Sequence, residues 1–228
     1  MGDLSTYSLE DFLLFAPRTY WRVLTLHNGA LWPLHLATLA AGLGLLALIL
    51  ARPARAPLWV GLGLGAAWAC VGWLFLQNRY APINWAVEPM VPVFLLEAVL
   101  LALAGVLPRG LVFARLDGIG WAGLGLAGFG LLYPGLTLVL GRPLAQAEVF
   151  GIAPDPTALV TLGLLLCARS PRPGLLLGVL MPVPLLWGLF SGLTLLAMDE
   201  VQAWALFAAL ALAVVLLAAR LVRRTGAV

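Results

Sequence analysis

The chain has 228 residues, 63% of them hydrophobic and only 10% charged, and its mean hydropathy is +1.03. A soluble domain keeps an apolar share nearer about half, so lipid is the expected solvent for most of this chain. The net charge of +3 rests on thirteen basic residues, all arginine and scattered singly or in short groups, which gives no basic face and no nucleic-acid partner.

The opening stretch holds Asp3, Glu10 and Asp11 where a secretory leader carries basic residues, so it is expected to stay in the mature protein. Over residues 8–28, "SLEDFLLFAPRTYWRVLTLHN" places Asp11, Arg18, Arg22 and Thr25 on one helical face, with Phe12, Phe15, Trp21 and Leu24 on the other. That pattern predicts an amphipathic helix lying in the membrane interface, with Tyr20 and Trp21 at headgroup depth. Ser8 and Asp11 have capping-box spacing for its start, and Pro17 is expected to break or kink it.

Apolar windows near the length of about 20 residues that crosses a bilayer follow at 31–51, 57–77, 89–107, 119–141, 157–168, 174–198 and 201–222. The expectation is a single all-α integral membrane domain, residues 1–228, of about seven transmembrane helices behind the interfacial helix. The window at 157–168 is short for a span, and residues 157–198 also fit a re-entrant hairpin. Arginines sort by side: Arg52, Arg55, Arg109, Arg115, Arg169, Arg172, Arg220, Arg223 and Arg224 all follow odd-numbered spans. Connections on the cytoplasmic side carry the excess positive charge, which puts the amino terminus outside and the carboxyl terminus in the cytoplasm.

Small residues punctuate the spans, with Gly61 and Gly65, Gly174 and Gly178, and Gly120 through Gly130 spaced for close helix packing. Cys70 and Cys167 lie in separate apolar runs with no metal-ligand spacing, so they read as packing residues.

Glu97 stands inside the third window, roughly 12 Å along a helix from Pro89 at about 1.5 Å per residue. An ionised carboxylate at mid-bilayer costs about 2.5–3.5 kcal/mol, which makes Glu97 the leading ion- or proton-site candidate. Pro134 in the fourth window, and Pro182 with Pro184 in the sixth, are helix-break candidates that free carbonyls of Gly130, Gly178 and Leu180. On the outer rim, Arg79, Asn84, Arg142, Gln146 and Glu148, with His35 at the same level and His27 before it, sketch a polar vestibule. Asp155 before Pro156, and Glu88 before Pro89, read as helix starts, while Asp199 and Glu200 are favourable charges at the last span's amino end. Arg142 and Glu148 are spaced to pair with each other.

The inventory excludes several chemistries. There is no lysine for a retinal Schiff base, only His35 lies in a span where a haem would need two, and no histidine follows His35 to serve Ser191 as a base. No acid, base and nucleophile set assembles from spacing, so an enzyme is disfavoured and no cofactor is expected.

The segments "NRYAPINWAVEP", "GRPLAQAEVFGIAPDPTALVTLG" and "LLWGLFSGLTLLAM" resemble those of a family of small multi-pass bacterial membrane proteins with a domain of unknown function, sometimes labelled permeases. The resemblance runs from "YSLEDFLLFAPRTYWR" onward; it implies a bacterial inner (cytoplasmic) membrane protein and carries over no catalytic residue. The expected function is a permease-like transporter or channel for a small polar solute or ion. The alternative is a non-catalytic subunit or assembly factor, either homo-oligomeric or docked on a partner membrane protein.

Overall fold

The computed structural model describes residues 13–51, 54–169 and 176–225, and every regular element within them is helical. Helix α1, Pro17–Leu31, opens on Pro17 in its first turn, where a missing N–H is no loss. Pro17 therefore starts the helix instead of interrupting one; Ser8 and Asp11, the expected starters, lie outside the described residues. The amphipathic pattern is real: Arg18 and Arg22 are exposed, while Tyr20, Trp21, Leu24, His27 and Asn28 are buried. Its inner face meets protein, with Tyr20 and Trp21 buried. Trp32 adopts an extended conformation, as a residue before proline must, and separates α1 from α2.

The remaining helices are α2 (Leu34–Ala51), α3 (Ala56–Tyr80, its end Val71–Tyr80 widened to π turns), α4 (Met90–Val106), α5 (Gly118–Leu132), α6 (Pro134–Val139) and α7 (Pro154–Cys167). After a π turn at Leu176–Leu180 come α8 (Pro182–Ala197) and α9 (Gln202–Thr225). Four helical stretches are long and apolar enough to cross a membrane: Leu34–Ala51, Ala56–Tyr80, Trp85–Val106 and Gln202–Arg223. Gly118–Leu132, Pro154–Cys167 and Pro182–Ala197 are apolar but shorter. Their shortness has local causes: Pro134 ends α5, an irregular segment precedes α7, and Pro182 begins α8.

Helix α7 is the axis of the bundle, with every one of its 14 residues buried among α3, α5, α8 and α9. At its far end the Arg169 N–H donates to Val112 O at 2.6 Å, and Arg220 Nη1 on α9 donates to Ala168 O at 2.7 Å. In the segment that leads into its other end, Glu148 accepts from Gln202, the first residue of α9. From Gln202 to Arg220, α9 covers roughly 27 Å at about 1.5 Å per residue. Between those two ends lie the buried segment 147–153 and α7.

Close helix contact depends on glycine at two crossings. A Cβ on Gly163 of α7 would stand 2.4 Å from Ala127 N and 2.5 Å from Gly123 O of α5; one on Gly61 of α3 would stand 2.5 Å from Gly105 Cα of α4. Without a hydrophobic drive between helices in lipid, such backbone approach is what holds them. The Gly174–Gly178 pair is different: Gly174 lies outside the described residues, and a Cβ on Gly178 would meet nothing within 4 Å. Large apolar side chains such as Leu36, Trp59, Leu96, Leu132, Leu186 and Val215 point outward, as a lipid-facing surface requires.

Candidate functional site

The stretch 147–153 is irregular backbone, yet every residue in it is buried. Such backbone is tolerated at depth only where protein supplies its hydrogen bonds, and α1 does so. Asn28 Nδ2 donates to Ala145 O and Ala147 O, each at 2.8 Å. His27 Nε2 donates to Ile152 O at 3.2 Å, which fixes the neutral Nε2–H tautomer, and His35 Nε2 meets Asn28 Oδ1 at 3.1 Å. Gly151, at φ +73°, turns the chain so that its N–H donates to Thr157 Oγ1 at 2.8 Å, while that hydroxyl donates to Ala153 O at 2.7 Å.

This clamp places Glu148 in a buried network. Tyr20 Oη donates to Glu148 Oε1 at 3.1 Å, and Gln202 Nε2 donates to Glu148 Oε2 and, at 3.0 Å, to Tyr133 Oη. The Gln202 Oε1 accepts from Arg142 Nη2. Arg142 and Glu148 are thus not paired directly, as their spacing had suggested; the Gln202 amide joins them. Arg142 lies over the Trp21 ring, Cζ 3.8 Å from its centroid, with Nη1 3.8 Å from Glu200. Trp21 Nε1 donates to Glu200 Oε1 at 2.8 Å, so Glu200 does more than favour a helix end.

Asp155 corrects a sequence expectation. Ala153 occupies the cap position of α7, and Asp155 sits in the first turn, 0% exposed, with no capping bond. Its Oδ1 accepts from Trp187 Nε1 and its Oδ2 from Ser191 Oγ, both at 2.8 Å. Trp187 and Ser191 are four apart on α8 and so share one face; that spacing was the available signal. Glu88 likewise caps nothing with its side chain and is exposed.

Glu97 on α4 is 0% exposed, and neither carboxyl oxygen has a hydrogen-bond partner. Among the described residues, buried side-chain nitrogens and oxygens without a partner belong to His35 (Nδ1), Glu97 (Oε1 and Oε2) and Arg142 (Nε and Nη1). The other rim candidates are placed differently. Asn84 is buried and its Oδ1 accepts from Ala86 N–H at 3.2 Å, capping a short turn. Arg79 and Gln146 are half-buried and apart from the Glu148 network. No group of three or more His, Cys, Asp or Glu able to hold a metal occurs among the described residues.

The prolines act as termini more than as mid-helix breaks. Pro134 separates α5 from α6, and the Gly130 carbonyl it would orphan accepts from Tyr133 N–H at 3.4 Å. Pro182 and Pro184 both lie in the first turn of α8, where no N–H is needed.

Residues 18–226 match a family of unknown function, DUF6064. The chain belongs to the DUF6064 family. No curated protein and no solved structure matches it. The α1 clamp, the Glu148 and Asp155 sites and Glu97 all fall within the DUF6064 region.

The clamp carries a pH signature. Burial lowers the His27 pKa from 6.5 to about 4, with Ile152 O opposing and Arg79 adding to the fall. Between those values the unfolded chain binds a proton that the folded chain does not, so stability drops as pH falls from about 6.5 to about 4, by up to about 3 kcal/mol. In His27→Gln, which keeps an N–H for Ile152 O, melting temperature against pH is expected to lose that acid-side slope. Parallel slopes for the two proteins would rule His27 out as its source.

Proposed function

We propose that this DUF6064 protein is a permease-like transporter of the bacterial inner membrane that moves a small polar solute or ion, with buried acids as its coupling site. In this reading the four long helical stretches are joined as spans by α5–α6, α7 with its lead-in, and α8. That makes seven spans, amino terminus outside and carboxyl terminus cytoplasmic, supported by the arginines that follow the odd-numbered spans.

The observation that carries the proposal is the company of three fully buried carboxyl groups, Glu97, Glu148 and Asp155, with one arginine in the Glu148 network and none bonded to Glu97 or Asp155. Buried acids in a membrane bundle are costly and mark ion or proton pathways by default. Glu97, His35 and Arg142 also retain hydrogen-bonding capacity that the protein does not use, where native interiors satisfy nearly all of it. Glu148 and Asp155 exchange a proton or cation, Gln202 connects Glu148 to Arg142 and through it to Glu200, and Glu97 is a separate acceptor on α4. Opening the outer face requires Arg142 to leave Gln202 and Glu200, and a change of charge on Glu148 is what weakens that link.

A thermal-shift panel in detergent, across metal cations, anions, small organic acids and pH, tests this. A ligand at about a hundred times its dissociation constant stabilises by about 2.7 kcal/mol. Glu97→Gln is expected to fold and to lose the shift. Glu97→Leu is expected to melt higher than wild type, because an unpartnered buried polar group costs about 1–3 kcal/mol, and to be inactive in transport. A panel with no shift for any solute would favour the second reading, a non-transporting subunit. One observation supports that second reading: Gly125 of α5 faces open space in a groove shared with Ala205, Ala208 and Ala209 of α9.

A further inference from the structure

A groove of about 400 Å³ opens on the apolar surface between α4 and α8. Met90, Val93 and Phe94 line it from α4, and Val183, Leu186, Trp187 and Phe190 from α8. Val93 and Leu186 stand 37% and 66% exposed at its mouth, whereas Phe94 and Trp187 form a buried floor, their ring centroids 5.0 Å apart. The one N–H among these side chains, Trp187 Nε1, is already given to Asp155. Met90, Val93, Phe94 and Glu97 follow the spacing i, i+3, i+4, i+7, so Glu97 is the next member of the stripe that α4 turns to the groove.

Phe15 packs edge-on against Tyr80, ahead of α4, and shares a pocket with Ala197 and Met198 at the close of α8. The start of α4 and the end of α8 thus lie together, and the two helices run antiparallel. From the Phe94–Trp187 contact, Glu97 is about 4.5 Å along α4 and Val183 about 6 Å along α8 in the same direction, at about 1.5 Å per residue. Glu97 therefore stands level with the Val183 end of the groove, fully buried and with both carboxyl oxygens unbonded.

This combination selects an occupant. A hydrated inorganic ion finds no side-chain oxygen along the groove to replace its water. A neutral polar solute would leave its hydrogen-bonding groups unmet there, and an anion gains nothing beside a carboxyl group. A cation with apolar arms fits all three features: apolar walls, ring faces that attract positive charge without any N–H, and an acid with no other partner. Resting on the transporter reading above, we propose that the groove admits the transported ion from the lipid, and that this ion is a lipophilic organic cation of the quaternary ammonium or phosphonium class, with Glu97 as its counter-charge.

Calorimetric titration of the full-length protein in detergent tests this with four probes: tetraphenylphosphonium, the like-shaped anion tetraphenylborate, tetramethylammonium and sodium. Tetraphenylphosphonium is expected to bind saturably, one per chain, and the other three to give no saturable heat. Glu97→Gln is expected to weaken that binding about tenfold or more, and Phe94→Leu, which keeps an apolar side chain and removes the ring, by several-fold. Equal binding of tetraphenylborate, or undiminished tetraphenylphosphonium binding in either variant, would overturn the site. Saturable binding of sodium in place of tetraphenylphosphonium would overturn the organic cation and leave the transporter reading standing. Binding as expected, with no protein-dependent uptake of tetraphenylphosphonium into proteoliposomes, would uphold the site and contradict transport.

Discussion

Asp155→Ala is expected to lower the melting temperature steeply, and Asp155→Asn to leave the fold standing while removing any ion-linked response. The alanine strands two buried donors, Trp187 Nε1 and Ser191 Oγ, each now 2.8 Å from a carboxylate oxygen. Each unmet donor costs about 1–3 kcal/mol, and the pair belong to the helix that closes one side of α7. Asparagine keeps an acceptor for Trp187 and offers its NH2 to the Ser191 hydroxyl, which can accept as readily as donate. The difference between the two variants separates packing from charge. Equal melting temperatures for them would show that the bonds to α8 contribute little, and a wild-type response to pH or ions in the asparagine variant would remove Asp155 from the site.

Gly163→Leu is expected to prevent assembly of the α5–α7 pair. The nearest atoms to the added Cβ are backbone, Ala127 N at 2.4 Å and Gly123 O at 2.5 Å, which cannot swing aside as a side chain does. Overpacking costs about 1–3 kcal/mol when neighbours can adjust, and here they can do so only by separating two helices. Gly125→Ala is the control, because nothing lies within 4 Å of its Cβ position and alanine is the better helix former. Monodisperse recovery on size exclusion after graded heating compares them. A Gly163→Leu protein that survives like wild type would contradict the packing described for α7.

Much of the helical plan was legible because apolar windows and arginine pairs are strong signals in a chain with so few charges. Glu97 was legible for the same reason, as a single acid in an apolar run. The role of Asp155 was not, since an Asp–Pro step reads equally as a helix start and its partners lie on a helix more than thirty residues away. Periodicity revealed that α1 has two faces, but it does not distinguish an inner face that meets lipid from one that meets protein. That distinction decided the fate of the polar loop. With His27 and Asn28 turned inward, the loop's carbonyls are satisfied within the protein, and Arg142, Gln202 and Glu148 form one chain of bonds. Gln202 passed unnoticed in the sequence because an amide at the start of a long apolar helix has no pattern of its own.

The buried acids are best tested by charge movement in reconstituted membranes. Protein in liposomes adsorbed on a sensor is exposed to a rapid pH jump, and wild type is compared with the combined Glu97→Gln, Glu148→Gln and Asp155→Asn variant, its fold verified by size exclusion. A transient current in wild type that is absent from the variant is the result expected of acids that take up ions within the bundle. No current in wild type, or the same current in the variant, would contradict a coupling role for Glu97, Glu148 and Asp155.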